Sequence, residues 1–205
     1  MKSALNEAMI YLRKPIEDVV IPTFIKRAEA YVNVCHIISP SEFFIRLEAN
    51  TPFVNELNKI PRENLEKSIC ADIGSLVLYA SNKEGGKLLR GIVIRKENLG
   101  QTYVIEAIDI GFKDYDITQE NIWDCDIKFP PLAYSCQLDA CKPVNGDIWQ
   151  DFCIDGFKSL VKGSLKMVYV TTIGHQLVVQ IHIANQMASE LMIMCGWAMM
   201  KPSQY

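Results

Sequence analysis

The chain has no long hydrophobic run: its most apolar stretch, LMIMCGWAMM at 191–200, is about half of the roughly 20 residues that a membrane-crossing helix needs. Its opening, MKSALNEAMI, lacks the apolar core of a secretory signal. There is no surplus of positive charge. Twenty-one Lys and Arg stand against 24 Asp and Glu, a formal net charge of −3, so the broad cationic surface behind non-specific nucleic-acid affinity is missing. Histidine is scarce, at 36, 175 and 182 only, and the seven cysteines (35, 70, 125, 136, 141, 153 and 195) include no CxxC pair. The short-spaced knuckles of structural zinc sites are therefore not expected, and neither a metal nor a cofactor is. An odd, scattered cysteine set predicts buried free thiols in a reducing compartment. No internal repeat or low-complexity tract occurs.

What is present is apolar mass. The hydrophobic fraction is 49% and the charged fraction 22%, which excludes a disordered composition and suffices for one large core or two small ones. Residues 1–30 carry helical spacing (Leu5, Met9, Ile10, Leu12) broken by Pro15 and Pro22. YVNVCHII (31–38), the turn signal SPSE (39–42) and FFIRL (43–47) predict a β-hairpin. TPFVNELNKI (51–60) returns to helical spacing, with Thr51 as N-cap, until Pro61. SLVLYAS (75–81), LLRGIVIRK (88–96) and TYVIEAIDI (102–110), joined by the glycine-bearing NKEGG and ENLGQ, predict a small antiparallel barrel over 74–138 that ends in a short strand near 133–138. A helix over 148–161 follows, with Gly156 as its weak point. Two strands (164–172 and 176–184) and a helix (187–195) closed by Gly196 complete the pattern.

Three stretches in that order resemble an extended Tudor domain: VNVCHIISPSEFFIRL (32–47), the pieces 74–94 and 102–118 with Arg90 and Ile108-Asp109-x-Gly111, and FPPLAYSCQL followed by the strands at 165–183 and ASELMIMCGWA (188–198). The resemblance implies an α+β, mostly β fold in which a Tudor barrel is inserted into a staphylococcal-nuclease-like, OB-type subdomain. The expected division is a helical arm at 1–30, the first part of that subdomain plus a linker helix at 31–73, the Tudor core at 74–138 and the second part at 139–205.

Tudor domains of this family hold methylated arginine in a cage of four rings and an asparagine, through cation–π attraction. Position by position, the cage is missing here. The loop 81–83 has no ring, Leu88 and Leu89 replace a Trp-Tyr pair, Ala107 and Ile110 replace two further aromatics, and Phe112 stands where the amide belongs. Two readings follow: Leu89, Ala107, Ile110 and Phe112 line an apolar cleft for a partner's anchor residue, or they fill the barrel mouth and binding occurs elsewhere. Seven acids between Glu106 and Asp126 (106, 109, 114, 116, 120, 124 and 126) face the single Lys113. They predict either a negative rim, Asp109 and Asp114 included, that steers a basic peptide, or a solvated loop before a short helix at TQENIW. Phe43 and Phe44 are expected on the opposite wall of a peptide cleft.

A calcium-dependent nuclease needs clustered carboxylates, and 164–184 has none, so a nuclease is not expected; the resemblance implies no enzyme. Cys35 and His36 point to opposite faces of a strand, and His182 reads as a core or interface histidine. By resemblance, the chain is a non-catalytic adaptor for an arginine-rich N-terminal peptide of a PIWI-clade Argonaute, unmethylated, in the piRNA pathway. It resembles the degenerate copies in insect multi-Tudor proteins and is expected in cytoplasmic perinuclear germ granules (nuage). The alternatives are a scaffold that self-associates through the methionine-rich tail or the N-terminal arm, and a weak RNA binder through Lys87, Arg90, Arg95 and Lys96. Neither nucleic acid nor membrane is the expected partner.

Overall fold

The computed structural model describes residues 19–127 and 129–201. Most of the helical arm expected over 1–30 lies outside these residues. Its described part, from Val19, has no helix and enters a strand at Glu29. In chain order the elements are β1 (Glu29–Ser39), β2 (Glu42–Leu47), α1 (Thr51–Leu57), β3 (Leu76–Ala80), β4 (Leu88–Glu97), β5 (Thr102–Ala107), β6 (Lys113–Thr118), β7 (Ile122–Asp124), β8 (Tyr134–Leu138), β9 (Cys141–Lys142), α2 (Asp151–Leu160), β10 (Ser164–Ile173), β11 (Gln176–Ile183), β12 (Gln186–Met187), α3 (Ala188–Met194) and β13 (Met199–Met200). They form two compact units. One comprises Pro22–Glu48 and Ala133 onward; the other, Ala49–Leu132 with the described residues up to Ile21.

In the first unit β10, β1, β2, β8 and β11 pair in that order, and β10 also pairs with β11, which closes the sheet into a five-stranded barrel. Every pairing in the circuit is antiparallel except β8 with β11, as OB-type barrels require. Val32, Phe43, Ile45, Leu165, Met167 and Ile181 fill it, together with Phe157 of α2 and Met192 of α3. The short strand expected to end the smaller barrel is β8, and it belongs to this sheet instead. It is held between β2 and β11, so the other unit ends at Leu132. Gly156 is no weak point either: a Cβ there would lie 2.6 Å from the Trp197 ring, so glycine lets the indole lie flat on α2.

The second unit is a five-stranded antiparallel sheet in the order β6-β5-β4-β3-β7. Period-2 alternation divides it. Val77, Tyr79, Leu89 and Val93 point to the inner core with Tyr103, Ile105, Ala107, Phe112 and Ile117. Leu78, Ala80 and Leu88 point outward to Phe53, Val54 and Leu57 of α1. Thr51 does not cap α1. Asn50 holds the cap position without a side-chain cap bond, and its amide pairs with the backbone of Val20 through two 2.8 Å hydrogen bonds. TQENIW forms a single 3-10 turn and then β7, not an α-helix. The expected strand 102–110 stops at Ala107, because the next three residues make the turn into β6.

Gly91 of β4 lies where strands cross closely: a Cβ would stand 2.3 Å from Ile105 Cγ2, 2.8 Å from Tyr79 Cε1 and 2.9 Å from the Glu106 carbonyl oxygen. Alanine in an unconstrained strand position helps. Here Gly91→Ala is expected to destabilise by about 1–3 kcal/mol through overpacking, read as a lower denaturant midpoint. An unchanged midpoint would show that the strands can part without cost.

Candidate functional site

The β5–β6 turn starts from the Ile-Asp-x-Gly run. Gly111, at φ 98°, takes a backbone conformation that side-chain-bearing residues resist. Its N–H and that of Ile110 both donate to the Ala107 carbonyl, at 2.7 and 3.2 Å. The tight turn directs Asp109 onto β4. Arg90 Nε donates to Asp109 Oδ2 at 2.8 Å and Nη2 to Oδ1 at 2.6 Å. The remaining guanidinium protons reach the carbonyls of Ile127 (3.2 Å), Phe129 (2.9 Å) and Pro130 (3.1 Å), and the Phe129 ring lies 3.7 Å from Arg90 Cζ. Asp109 Oδ1 also accepts the Leu132 N–H at 3.1 Å. Arg90 is 0% and Asp109 2% exposed. This bidentate pair clips Ile127, Phe129, Pro130 and Leu132 to the barrel, so Asp109 does not offer its carboxylate to a peptide and Arg90 does not offer its charge to RNA.

Leu89 and Ala107 are likewise interior, at 2% and 0% exposure. As cleft-lining residues they are corrected to core. Ile110 is half-buried at the turn, and Phe112 is buried at the end of the inner core. Asp114 is buried too and accepts the Ser81 hydroxyl. Of the seven acids, then, Asp109 and Asp114 are used internally. Asp116, Glu120, Asp124 and Asp126 are exposed and Glu106 is half-buried opposite Lys113.

The mouth of the barrel is organised by residues that sequence reasoning passed over. A β-bulge in β6 sets Tyr103 against Ile117 and Ile105 against Asp114, with Asp116 at φ 55°. Bulges re-aim side chains, and Tyr115 emerges here exposed. The β3–β4 loop folds over it. Ser81 bonds Asp114 and accepts the Glu84 N–H at 3.1 Å. Asn82 Nδ2 donates to the Tyr115 carbonyl at 3.0 Å. Thus clasped, the loop sets Lys83 Nζ 5.1 Å from the Phe112 ring centroid and 5.6 Å from that of Tyr115. Beneath, Tyr79 is fully buried and its hydroxyl has no hydrogen-bond partner of good geometry among the described residues. Burial, and next the Asp114 charge, push its pKa upward; nearby Ser81 offsets this in part. The mouth therefore has a neutral phenol and a buried carboxylate below, two ring faces and a cation above. Lys83 was legible only as the lysine of a glycine-rich loop, and Tyr115 only as an aromatic among acids.

Phe43, expected on a cleft wall, is 0% exposed in the OB-type barrel and meets Phe157 edge to face at 5.3 Å. It cannot touch a peptide. Phe44, on the opposite face of β2, is half-buried beside the His36 ring. None of the seven cysteines forms a disulfide: Cys70 and Cys195 are exposed, and Cys125, Cys136, Cys141 and Cys153 buried. Burial pushes Cys125 up to about 11 and Cys141 up to about 12, which keeps both as unreactive thiols. His182 is half-buried, and its Nε2 has no hydrogen-bond partner among the described residues. No helix among them is long and apolar enough to cross a membrane.

The Tudor domain family model matches residues 25–140. No curated protein sequence matches the chain. Solved structures do. The chain is similar to the third extended Tudor domain of mouse TDRD1, in complex with a MILI peptide containing dimethylarginine: TM-score 0.76, 18% identity, covering 88% of this chain and 97% of that one. It is similar to the Drosophila melanogaster Papi extended Tudor domain, at TM-score 0.70, 20% identity and 85% and 100% coverage. It is also similar to a variant of that domain in complex with a Piwi N-terminal peptide whose arginine is unmethylated, at TM-score 0.73, 18% identity and the same coverage.

Proposed function

This chain belongs to the Tudor domain family, and from that premise we propose that it is a non-catalytic adaptor binding an unmethylated arginine in the N-terminal tail of a PIWI-clade Argonaute, within the germline piRNA pathway and its cytoplasmic perinuclear granules. One observation carries the reading. The barrel mouth already seats a cation, Lys83, on the faces of Phe112 and Tyr115, so the surface has the quadrupole that attracts a guanidinium. Among the described residues, those two rings alone carry it. The methyls of a modified arginine gain most from an enclosure of ring faces, whereas an unmodified guanidinium keeps all its N–H donors for the exposed carboxylates of Asp116 and its neighbours. The solved Papi variant in complex with an unmethylated Piwi peptide supports the same ligand class.

The test is calorimetry with an Arg-Gly/Arg-Ala tail peptide, unmodified and symmetrically dimethylated. Both forms are expected to bind with dissociation constants within about threefold of each other, and Tyr115→Ala to weaken both by no more than about twofold to fivefold, the worth of one exposed cation–π contact, because Lys83 loses the same ring in the free protein. Tyr115 is 46% exposed, so this variant should fold. A strong preference for the methylated peptide, or no binding of either, would overturn the proposal.

A further inference from the structure

The cation on Phe112 and Tyr115 belongs to the chain itself. Lys83 is exposed, and no carboxylate among the described residues forms a salt bridge with it, unlike its loop neighbour Lys87, which pairs with Glu84 at 2.7 Å. Its resting place is the two ring faces. A free lysine loses rotamer entropy when it is held, so its position needs a cause, and the loop supplies one. Ser81 is tied to the buried Asp114, and Asn82 to the backbone of Tyr115 and, at 3.4 Å, of Asp116. The residue after this double clasp is placed over β6 before its own side chain contributes anything.

We infer that Lys83 is an internal competitor for the cation seat of the barrel mouth: an arginine side chain of a partner binds there by displacing the Lys83 ammonium from Phe112 and Tyr115. This deepens the proposed function and rests on it for the identity of the peptide, but not for the existence of the seat. Two physical consequences follow. The seat's affinity for any outside cation is reduced by the contact that must first break, worth about twofold to fivefold at an exposed site. Any change that removes the charge of Lys83 opens the seat, whereas a change to another cation keeps it filled.

The experiment titrates wild type, Lys83→Met, Lys83→Arg and the charge-matched control Lys113→Met with two probes, the unmodified arginine peptide and methylguanidinium. Heat and the ring-proton NMR signals of Tyr115 are followed. Lys83→Met is expected to bind both probes about twofold to fivefold tighter than wild type. Lys83→Arg should gain nothing, and Lys113→Met less than Lys83→Met. In the free protein, the Tyr115 ring signals should move on Lys83→Met and stay on Lys113→Met. Equal affinity of wild type and Lys83→Met for both probes would overturn the inference while leaving the peptide reading intact. If no variant takes the peptide but Lys83→Met still takes methylguanidinium more readily, the peptide reading falls and the internal competitor stands. Equal gains from Lys83→Met and Lys113→Met would reduce the effect to net charge and overturn the inference.

Discussion

Asp109→Asn is expected to destabilise the barrel unit by about 3–5 kcal/mol, because it leaves the Arg90 guanidinium buried without a counter-charge. The pair is fully interior, with side-chain exposures of 0% and 2%, and water cannot reach in to solvate the orphan. Arg90→Lys keeps the charge but loses the planar fork that serves both carboxylate oxygens and three carbonyls at once, so it too should lower the unfolding midpoint. The double variant Arg90→Met/Asp109→Leu should be no less stable than either single one, since replacing both charges by apolar groups avoids the uncompensated ion. Chemical denaturation of the wild type and these variants, together with Arg90→Met and Asp109→Leu alone, checks this. Additive losses in the double variant would show that the two charges stabilise independently of each other. The same substitutions are unsuitable for testing peptide binding, because any loss would report the fold.

Phe43→Ala should cost the OB-type unit about 3–5 kcal/mol, the usual range for emptying a phenylalanine-sized space in a core that collapses only partly. The ring is 0% exposed and stacks edge to face on Phe157, and edge-to-face pairs add to area burial. Phe44→Ala, on the half-buried face of the same strand, should cost less. Denaturant midpoints of both variants decide it. A Phe43→Ala protein of wild-type stability that had lost peptide affinity would return Phe43 to the binding surface.

Much of the architecture was legible because it rests on local signals. The alternation and β-branched content of LLRGIVIRK anticipate β4, and the SPSE turn anticipates the β1–β2 hairpin. Gly196 ends α3 with a φ of 71°, as a C′ glycine does. β6 was not legible, since KDYDIT is half charged and its bulge at Tyr115–Asp116 breaks the two-residue period that a strand assignment relies on. β8 was legible as a strand but not as to its sheet. Its partners, β2 and β11, are set by pairings at distant positions in the chain, and no local property of AYSCQL chooses between two barrels.

The candidate site divides in the same way. At the positions where the resemblance puts rings of a methylarginine cage stand Leu89, Ala107 and Ile110, which offer no ring face for cation–π attraction. The acid-rich stretch was equally plain as a composition. Its meaning was not: Asp109 becomes a buried partner of Arg90, 19 residues away, and Asp114 an anchor for Ser81, 33 residues away, while Asp116 stays in solvent. By itself the sequence determined most of the order of elements and the resemblance to the family, since both rest on local patterns. Only the tertiary structure decided which charges are buried and which exposed, and that Lys83 lies over the rings of Phe112 and Tyr115, because the state of a charged side chain depends on its burial and on what long-range folding brings within a few ångströms of it.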